Sequence, residues 1–101
     1  MPRPIMLARL DKVRPVLVLT REHVREYLTD WTVAPITSRT RGLPTELPVG
    51  PANGLDHASM VALDRIETLP RDLIGELVGH LHRDQEPALA AAIIAAFDLV
   101  R

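Results

Sequence analysis

The sequence contains no cysteine, only three aromatic residues and no long apolar run. Without cysteine the protein has no disulfide framework, no thiolate nucleophile and no thiolate metal site, a composition that fits a reducing cytoplasm. One Trp, one Tyr and one Phe are too few for a long platform on which nucleic-acid bases stack. No apolar segment approaches the roughly 20 residues of a membrane-spanning helix, so we expect no membrane contact.

The sequence also lacks an excess of charge of either sign, because its formal net charge is only −1. A protein that binds nucleic acid mainly by neutralising phosphates usually carries a clear basic excess. Of the 12 basic residues all but Lys12 are arginines, and arginine makes planar, bidentate contacts that lysine cannot make. If the partner is RNA, we therefore expect binding in a local, arginine-lined groove.

The length and turn residues predict one α+β domain. A chain of 101 residues supports one modest hydrophobic core, so residues 1–101 are expected to form a single domain. Thr20 is expected to be the N-cap of a helical turn at 21–27, and Pro70 and Arg71 to open another. Strands are predicted at 5–9, 14–20, 30–38, 45–49, 58–66 (with 67–69 continuing or bending it) and 75–81. Such short strands favour a strongly bent sheet or a small barrel.

Two segments have the clearest patterns. The run Arg14-Pro15-Val16-Leu17-Val18-Leu19-Thr20 is apolar on both faces, as in a buried strand, and proline is tolerated at its start. From Asp84 onward the chain is rich in alanine and predicts a C-terminal helix, with Asp84 as N-cap and Pro87 in the first turn. Its predicted apolar face comprises Leu89, Ile93, Ala96, Phe97 and Val100.

Three segments resemble the MazF/PemK/Kid family of bacterial toxins. Residues 14–19, Arg-Pro-Val-Leu-Val-Leu, match the family's "RPVLVL" strand. Residues 34–38, Ala-Pro-Ile-Thr-Ser, match its "P-I/V-T-S" strand end, and Leu-Pro-Thr follows at 43–45. Residues 59–69, Ser-Met-Val-Ala-Leu-Asp-Arg-Ile-Glu-Thr-Leu, are similar to "S-x-V-x-x-D-Q-I-R-T-I/L". The ordered set, with a final strand and terminal helix, spans nearly the whole chain.

The resemblance implies a small twisted, SH3-like sheet with short helices and a homodimeric endoribonuclease of a type II toxin–antitoxin system. Such a toxin cuts single-stranded RNA (mRNA, or tRNA or rRNA) at short motifs, without a cofactor or metal. The ribose 2′-hydroxyl attacks the neighbouring phosphorus and leaves a cyclic phosphate and a 5′-hydroxyl. Family antitoxins bring a disordered, partly acidic tail that lies across the RNA groove, so a cognate antitoxin is the expected partner.

Carried over residue by residue, the resemblance gives catalytic roles to Arg14 and Thr37. A guanidinium can bind two phosphate oxygens, and a hydroxyl can donate to one. The alternatives are a surface ion pair for Arg14 and a choice of Thr37 for strand propensity. The expected substrate-binding residues are Lys12, Ser38, Arg39, Arg41 and Asp64. Arg39 and Arg41 are explained equally well as solvated loop charges, and Asp64 as an aspartate that fixes a turn or pairs with Arg65.

One region departs from the family. Members usually have a longer loop before the "RP" strand, with a "G-S/H-E-Q" element that shapes the active site, whereas residues 10–13 here are Leu-Asp-Lys-Val. The general base from that loop is therefore missing. Asp11, Lys12 or His23 are candidates to replace it, and nothing in the sequence selects one.

Three alternatives to an active endoribonuclease are a metal site, a gyrase poison and an inactive family member. His80 and His82 would share a face of one strand, but two ligands without a third make a poor metal site, so no metal is expected. A gyrase poison resembling CcdB would end in Trp-Gly-Ile, and this chain ends Phe-Asp-Leu-Val-Arg. A catalytically weak or inactive member that only binds antitoxin or RNA is the remaining alternative. Incubation with a defined RNA distinguishes this alternative from an active endoribonuclease.

Overall fold

The computed structural model describes residues 2–100, which form one antiparallel sheet and two α-helices. The helices are α1 (Glu22–Arg25) and α2 (Glu86–Phe97). The strands are β1 (Pro4–Arg9), β2 (Val13–Val18), β3 (Asp30–Thr37), β4 (Glu46–Val49), β5 (Ser59–Ala62), β6 (Glu67–Pro70) and β7 (Ile74–His80). They pair in the order β4-β5-β3-β2-β1-β7, and β6 pairs with the first half of β3. The α+β prediction is confirmed, with an open sheet that ends at β4 and β7.

The central strand β2 is buried on both faces, as its sequence predicts. Leu17 belongs to a first core cluster with Ile5, Leu63 and Leu89. Val16 and Val18 alternate to the opposite face and join a second, smaller cluster around Trp31. Two cores separated by the sheet explain why this strand carries no polar residue after Arg14.

The predicted fifth strand is interrupted. β5 ends at Ala62, and a 3₁₀ turn at Leu63–Arg65 precedes β6. Both strands pair with β3, β5 at its end and β6 at its beginning. The turn is anchored by Leu63, which is fully buried and donates its N–H to the Thr45 carbonyl at 3.0 Å. Alternating sequence alone does not reveal this break.

The terminal helix is confirmed, but its start and buried face differ from the prediction. A 3₁₀ turn at Arg83–Gln85 precedes α2, so Gln85 and not Asp84 is the N-cap, while Pro87 lies in the first turn as expected. Leu89 is buried, and burial of such a side chain contributes roughly 1.5–3 kcal/mol before entropy costs. Phe97 and Val100 are exposed, and Val100 lies beyond the end of the helix, which stops at Asp98 in the left-handed region (φ 53°).

The predicted N-cap role of Thr20 is wrong. The Thr20 hydroxyl accepts the backbone N–H of Thr32 at 2.8 Å, so it joins the segment before α1 to β3. Arg21 occupies the N-cap position and makes no side-chain cap. The Thr20 hydroxyl therefore binds the sheet and does not cap the helix.

Among residues 2–100, no helix has the length and apolar character needed to cross a membrane.

Candidate active site

The candidate site lies where β2 and β3 part. The two strands are paired from Val18↔Val33 to Val16↔Pro35, and the same register continued by two residues would set Arg14 opposite Thr37. The pairing of β2 with β3 stops at Val16 and Pro35, while the opposite edge of β3 pairs with β5 as far as Thr37 and Met60. The strands therefore separate with Arg14 and Thr37 at matching positions on either side of the gap.

A groove of about 480 Å³ occupies this gap. Four of the predicted site residues line it: Lys12, Arg14, Thr37 and Ser38. Its apolar lining includes Leu7, Pro15 and Ile36 from β1, β2 and β3. The groove therefore combines an apolar surface with two cations, Lys12 and Arg14, and with hydroxyl side chains, a composition suited to one nucleotide unit with its phosphate.

The guanidinium of Arg14 is held by Asp11. Nε donates to Oδ1 at 3.0 Å and Nη2 donates to Oδ2 at 3.1 Å, so one edge of the guanidinium is filled by a carboxylate. The Arg14 side chain is 33% exposed and that of Asp11 70% exposed. These hydrogen bonds lower the pKa of Asp11 and raise that of Arg14. Asp11 is thus an anion on the guanidinium edge that a phosphate would use, and it is poorly suited to be the missing base.

Thr37 is half-buried at the end of β3 and keeps hydrogen-bonding capacity free. Its Oγ1 accepts the backbone N–H of Arg39 at 3.2 Å. A hydroxyl has one donor and two acceptor positions, so the Thr37 proton remains available to a ligand in the groove. Ser38 and Arg39, which follow it, are exposed.

The predicted contacts Arg41 and Asp64 do not line the groove but bind each other. Arg41 Nη2 and Nη1 donate to the two carboxylate oxygens of Asp64 at 2.8 and 3.0 Å. Asp64 therefore pairs with Arg41 and not with Arg65, and these hydrogen bonds lower its pKa. An ion pair was among the alternatives for Asp64, but with Arg65 as the expected partner.

Sequence reasoning missed Glu46, which organises the loop between β3 and β4. Its side chain is 2% exposed and accepts the backbone N–H of Arg41 and of Leu43, the Thr40 hydroxyl and Arg41 Nε. Burial raises the pKa of Glu46, but the hydrogen bonds outweigh it and leave the pKa below its ordinary value. This buried carboxylate holds the segment that follows Thr37 and Ser38 in one conformation.

The groove also contains residues that the sequence did not single out for this site, namely Asp56, His57 and Ser59. They lie about 20 positions after Thr37 in the chain, and no local pattern places them beside it.

Only some of the candidate general bases lie at the groove. Lys12 lines it, whereas His23 lines other cavities, near Arg3 and Trp31. His23 is therefore not brought to the site.

The His80–His82 pair does not share a strand, contrary to expectation. β7 ends at His80, and His82 opens the following 3₁₀ turn with its ring Nε2 at 2.6 Å from the Ala52 carbonyl. Within residues 2–100, no group of three or more His, Cys, Asp or Glu side chains is arranged to hold a metal ion.

Comparison with known proteins places this geometry in a family. Residues 5–97 match the model of the PemK-like, MazF-like toxin of type II toxin–antitoxin systems. The chain is 57% identical over 97 residues to Endoribonuclease MazF3 of Mycobacterium tuberculosis H37Rv, covering 96% of this chain and 94% of that protein.

Solved structures agree. Mycobacterium tuberculosis toxin MazF-mt6 superposes with a TM-score of 0.96 at 56% identity, over 98% of this chain and 100% of that one. A mycobacterial endoribonuclease in complex with its cognate antitoxin gives a TM-score of 0.88 at 22% identity, over 100% and 97% of the two chains, a likeness of fold alone. The chain that carries the Arg14–Thr37 groove therefore belongs to the PemK-like, MazF-like family of toxins of type II toxin–antitoxin systems.

Proposed function

We propose that this endoribonuclease toxin cuts single-stranded RNA at a short sequence motif, without a divalent metal, to give a cyclic phosphate and a 5′-hydroxyl. The observation that carries the proposal is the position of Arg14 and Thr37 on either side of one groove where β2 and β3 separate. A phosphate in the gap is within the range of a fork-shaped cation and a hydroxyl donor.

In this reaction the RNA supplies its own nucleophile. The 2′-oxygen attacks the phosphorus, the bond from phosphorus to the 5′-oxygen breaks, and the 2′-hydroxyl proton leaves while the 5′-oxygen gains one. The protein must hold the phosphate in line and stabilise the charge that builds on its non-bridging oxygens. Neither a side-chain nucleophile nor a metal-activated water is needed for these steps.

Arg14 is proposed to stabilise the phosphorane. The donors Nε and Nη2 that now hold Asp11 have the spacing of two carboxylate oxygens, which is close to that of two phosphate oxygens. Since the Asp11–Arg14 pair is exposed, its exchange for a phosphate has a small cost. Thr37 is proposed to donate its free hydroxyl proton to a phosphate oxygen.

The remaining predicted residues fall into two groups. Lys12 and Ser38 line the groove, and Arg39 follows on the exposed loop, so we place all three along the RNA backbone. Arg41 and Asp64 bind each other beside buried Glu46. We propose that this pair acts on RNA indirectly, by fixing the loop that presents Ser38 and Arg39.

The expected partners follow from the same groove. Basic residues in an open groove suit an acidic, disordered antitoxin segment as well as RNA, and we propose that the two compete for it. We further propose that the toxin is a homodimer that acts in the cytoplasm, where its RNA substrates are. Val13 and Leu77, both more than half exposed, provide apolar surface of the kind that a second copy could cover.

The test is digestion of a long natural RNA followed by primer extension, which reports activity and motif together. A synthetic RNA containing the mapped motif should be cut in excess EDTA. The same RNA with a 2′-deoxy nucleotide at the scissile position should resist. Cutting that is lost in EDTA and restored by magnesium, or cleavage of the 2′-deoxy substrate, would contradict the mechanism. RNA binding without cutting would favour the inactive alternative, for which the short Leu10–Val13 connection is the motivation.

A further inference from the structure

A second wall of the groove comes from the segment between β4 and β5. Gly54, Leu55, Asp56, His57 and Ser59 all line the same cavity as Arg14 and Thr37. His57 is exposed, and its carbonyl accepts the Ser59 hydroxyl at 3.1 Å. His57 therefore lines the groove without being part of the hydrophobic core.

The 54–59 segment is pinned to the sheet at its start. Buried Asn53 donates Nδ2 to the His80 carbonyl at 2.9 Å and to Gln85 Oε1 at 2.7 Å, and its Oδ1 accepts the Gly50 N–H. Gly54 adopts φ +92°, and a Cβ there would collide with the Val78 backbone of β7. These contacts hold the start of the segment against β7 and so fix the position from which the chain continues to His57.

The two walls meet at the gap between β2 and β3. Leu17 and Ile36 belong to the first core cluster, and Leu55 packs against that cluster from the 54–59 segment. Arg14 and Thr37, at the strand ends beside the gap, line the same groove as His57. A phosphate held by Arg14 and Thr37 would thus lie in the groove that His57 lines.

Few groups in the groove can transfer a proton at neutral pH. Ammonium and guanidinium groups keep their protons, carboxylates carry none, and hydroxyls are too weakly acidic. An imidazole both gives and takes a proton in this range. Among the described residues that line the groove, His57 is the only one with this chemistry.

We propose that His57 is a catalytic residue, the general acid that protonates the leaving 5′-oxygen; this rests on the proposed function. The 2′-oxygen forms a bond to phosphorus as its proton passes to solvent water. The bond from phosphorus to the 5′-oxygen breaks, its electron pair goes to that oxygen, and the imidazolium of His57 supplies the proton. Neutral His57 then regains a proton from water. The 5′-alkoxide is a poor leaving group unless it is protonated, so a proton donor in the groove that holds the phosphate assists this step.

The test compares two RNAs of the mapped motif, one natural and one with sulfur in place of the scissile 5′-oxygen. A thiolate leaves without being protonated, so a missing general acid no longer matters. His57→Ala should cut the natural RNA about 100-fold or more slowly, yet cut the sulfur RNA at nearly the wild-type rate. Arg14→Ala should slow both, because phosphorane stabilisation is needed in either case. His23→Ala, in another cavity, is the matched control and should cut both RNAs normally.

Each other outcome is decisive. Equal slowing of His57→Ala on both RNAs would show that His57 acts as a base or through structure, and normal cutting of the natural RNA would show that it takes no part. Either overturns the assignment while leaving the proposed function standing. Failure of the wild-type protein to cut either RNA, or cutting of the 2′-deoxy control, would overturn the proposed function and this role with it. Melting temperatures close to that of the wild type would show that the variants are folded.

Discussion

Asp11 occupies both donors on one edge of the Arg14 guanidinium, at 3.0 and 3.1 Å. An RNA phosphate would need the same edge, so carboxylate and phosphate compete for it. Asp11→Asn removes the competing charge and should tighten RNA binding by up to about fivefold. The melting temperature should hardly change because the pair is exposed.

Binding is measured with a non-cleavable 2′-deoxy analogue of the mapped motif. Glu76→Gln, which neutralises an exposed carboxylate outside the groove, controls for the change in overall charge. Weaker binding by Asp11→Asn would mean that Asp11 positions Arg14 and does not compete for it.

The loop after Thr37 should be sensitive to acid. The pKa of Glu46 lies below its ordinary 4.5 and that of Asp64 below its ordinary 3.8. A carboxylate with a lowered folded-state pKa contributes stability above its unfolded value, and this is lost as pH falls through the folded value. The melting temperature should therefore drop below about pH 4.5, more steeply in wild type than in Glu46→Gln. Equal slopes in the two proteins would show that Glu46 does not couple the loop to protonation.

Gly79 of β7 should not tolerate a side chain, because an added Cβ would overlap the backbone carbonyl of Asn53 and approach Gly54. Backbone must shift to make room, so Gly79→Ala should lower stability by roughly 1–3 kcal/mol, with a melting temperature lower by at least about 4 °C. RNA cleavage should fall as well, since the 54–59 wall would move. Gly75→Ala is the matched control, because its Cβ would meet only the Leu7 carbonyl at 3.8 Å. Similar melting curves for both variants would contradict the close packing.

The chain is expected to form a homodimer. Sedimentation equilibrium at micromolar concentration should give twice the chain mass of 11.2 kDa. Dimerisation would cover apolar side chains such as Val13 and Leu77, which are 58% and 57% exposed. A mass of one chain at that concentration would contradict the proposed homodimer.

The sequence predicts most strands, and the position of Arg14 and Thr37 at strand ends, because those features are local. β2 is buried on both faces because its run is apolar on both, and Arg14 lies near the start of one apolar strand and Thr37 at the end of another. Contacts across long separations leave no such trace. No residue next to Glu46 in the sequence indicates its burial, and none next to Asp64 indicates its pair with Arg41. The segment that carries His57 is anchored by the distant contact between Asn53 and the His80 carbonyl.

Periodicity also fails where the chain leaves the core. Phe97 and Val100 follow the helical spacing of Leu89, yet both are exposed, and Val100 lies beyond the end of α2. Likewise, the pattern of β5 and β6 predicts one strand, whereas a turn that buries Leu63 divides them.

Arg14 and Thr37 are proposed to act on one phosphate in the gap between β2 and β3. The direct measurement is the single-turnover cleavage rate, together with the melting temperature, of Arg14→Ala, Arg14→Lys and Thr37→Val. Arg14→Ala should lose about 100-fold in rate, Arg14→Lys should recover part of that loss because it keeps the charge without the fork, and Thr37→Val should be slowed by loss of its hydroxyl alone. All three should melt close to wild type, since both side chains lie at strand ends. Full activity in Arg14→Ala with an unchanged melting temperature would contradict this assignment of the active site.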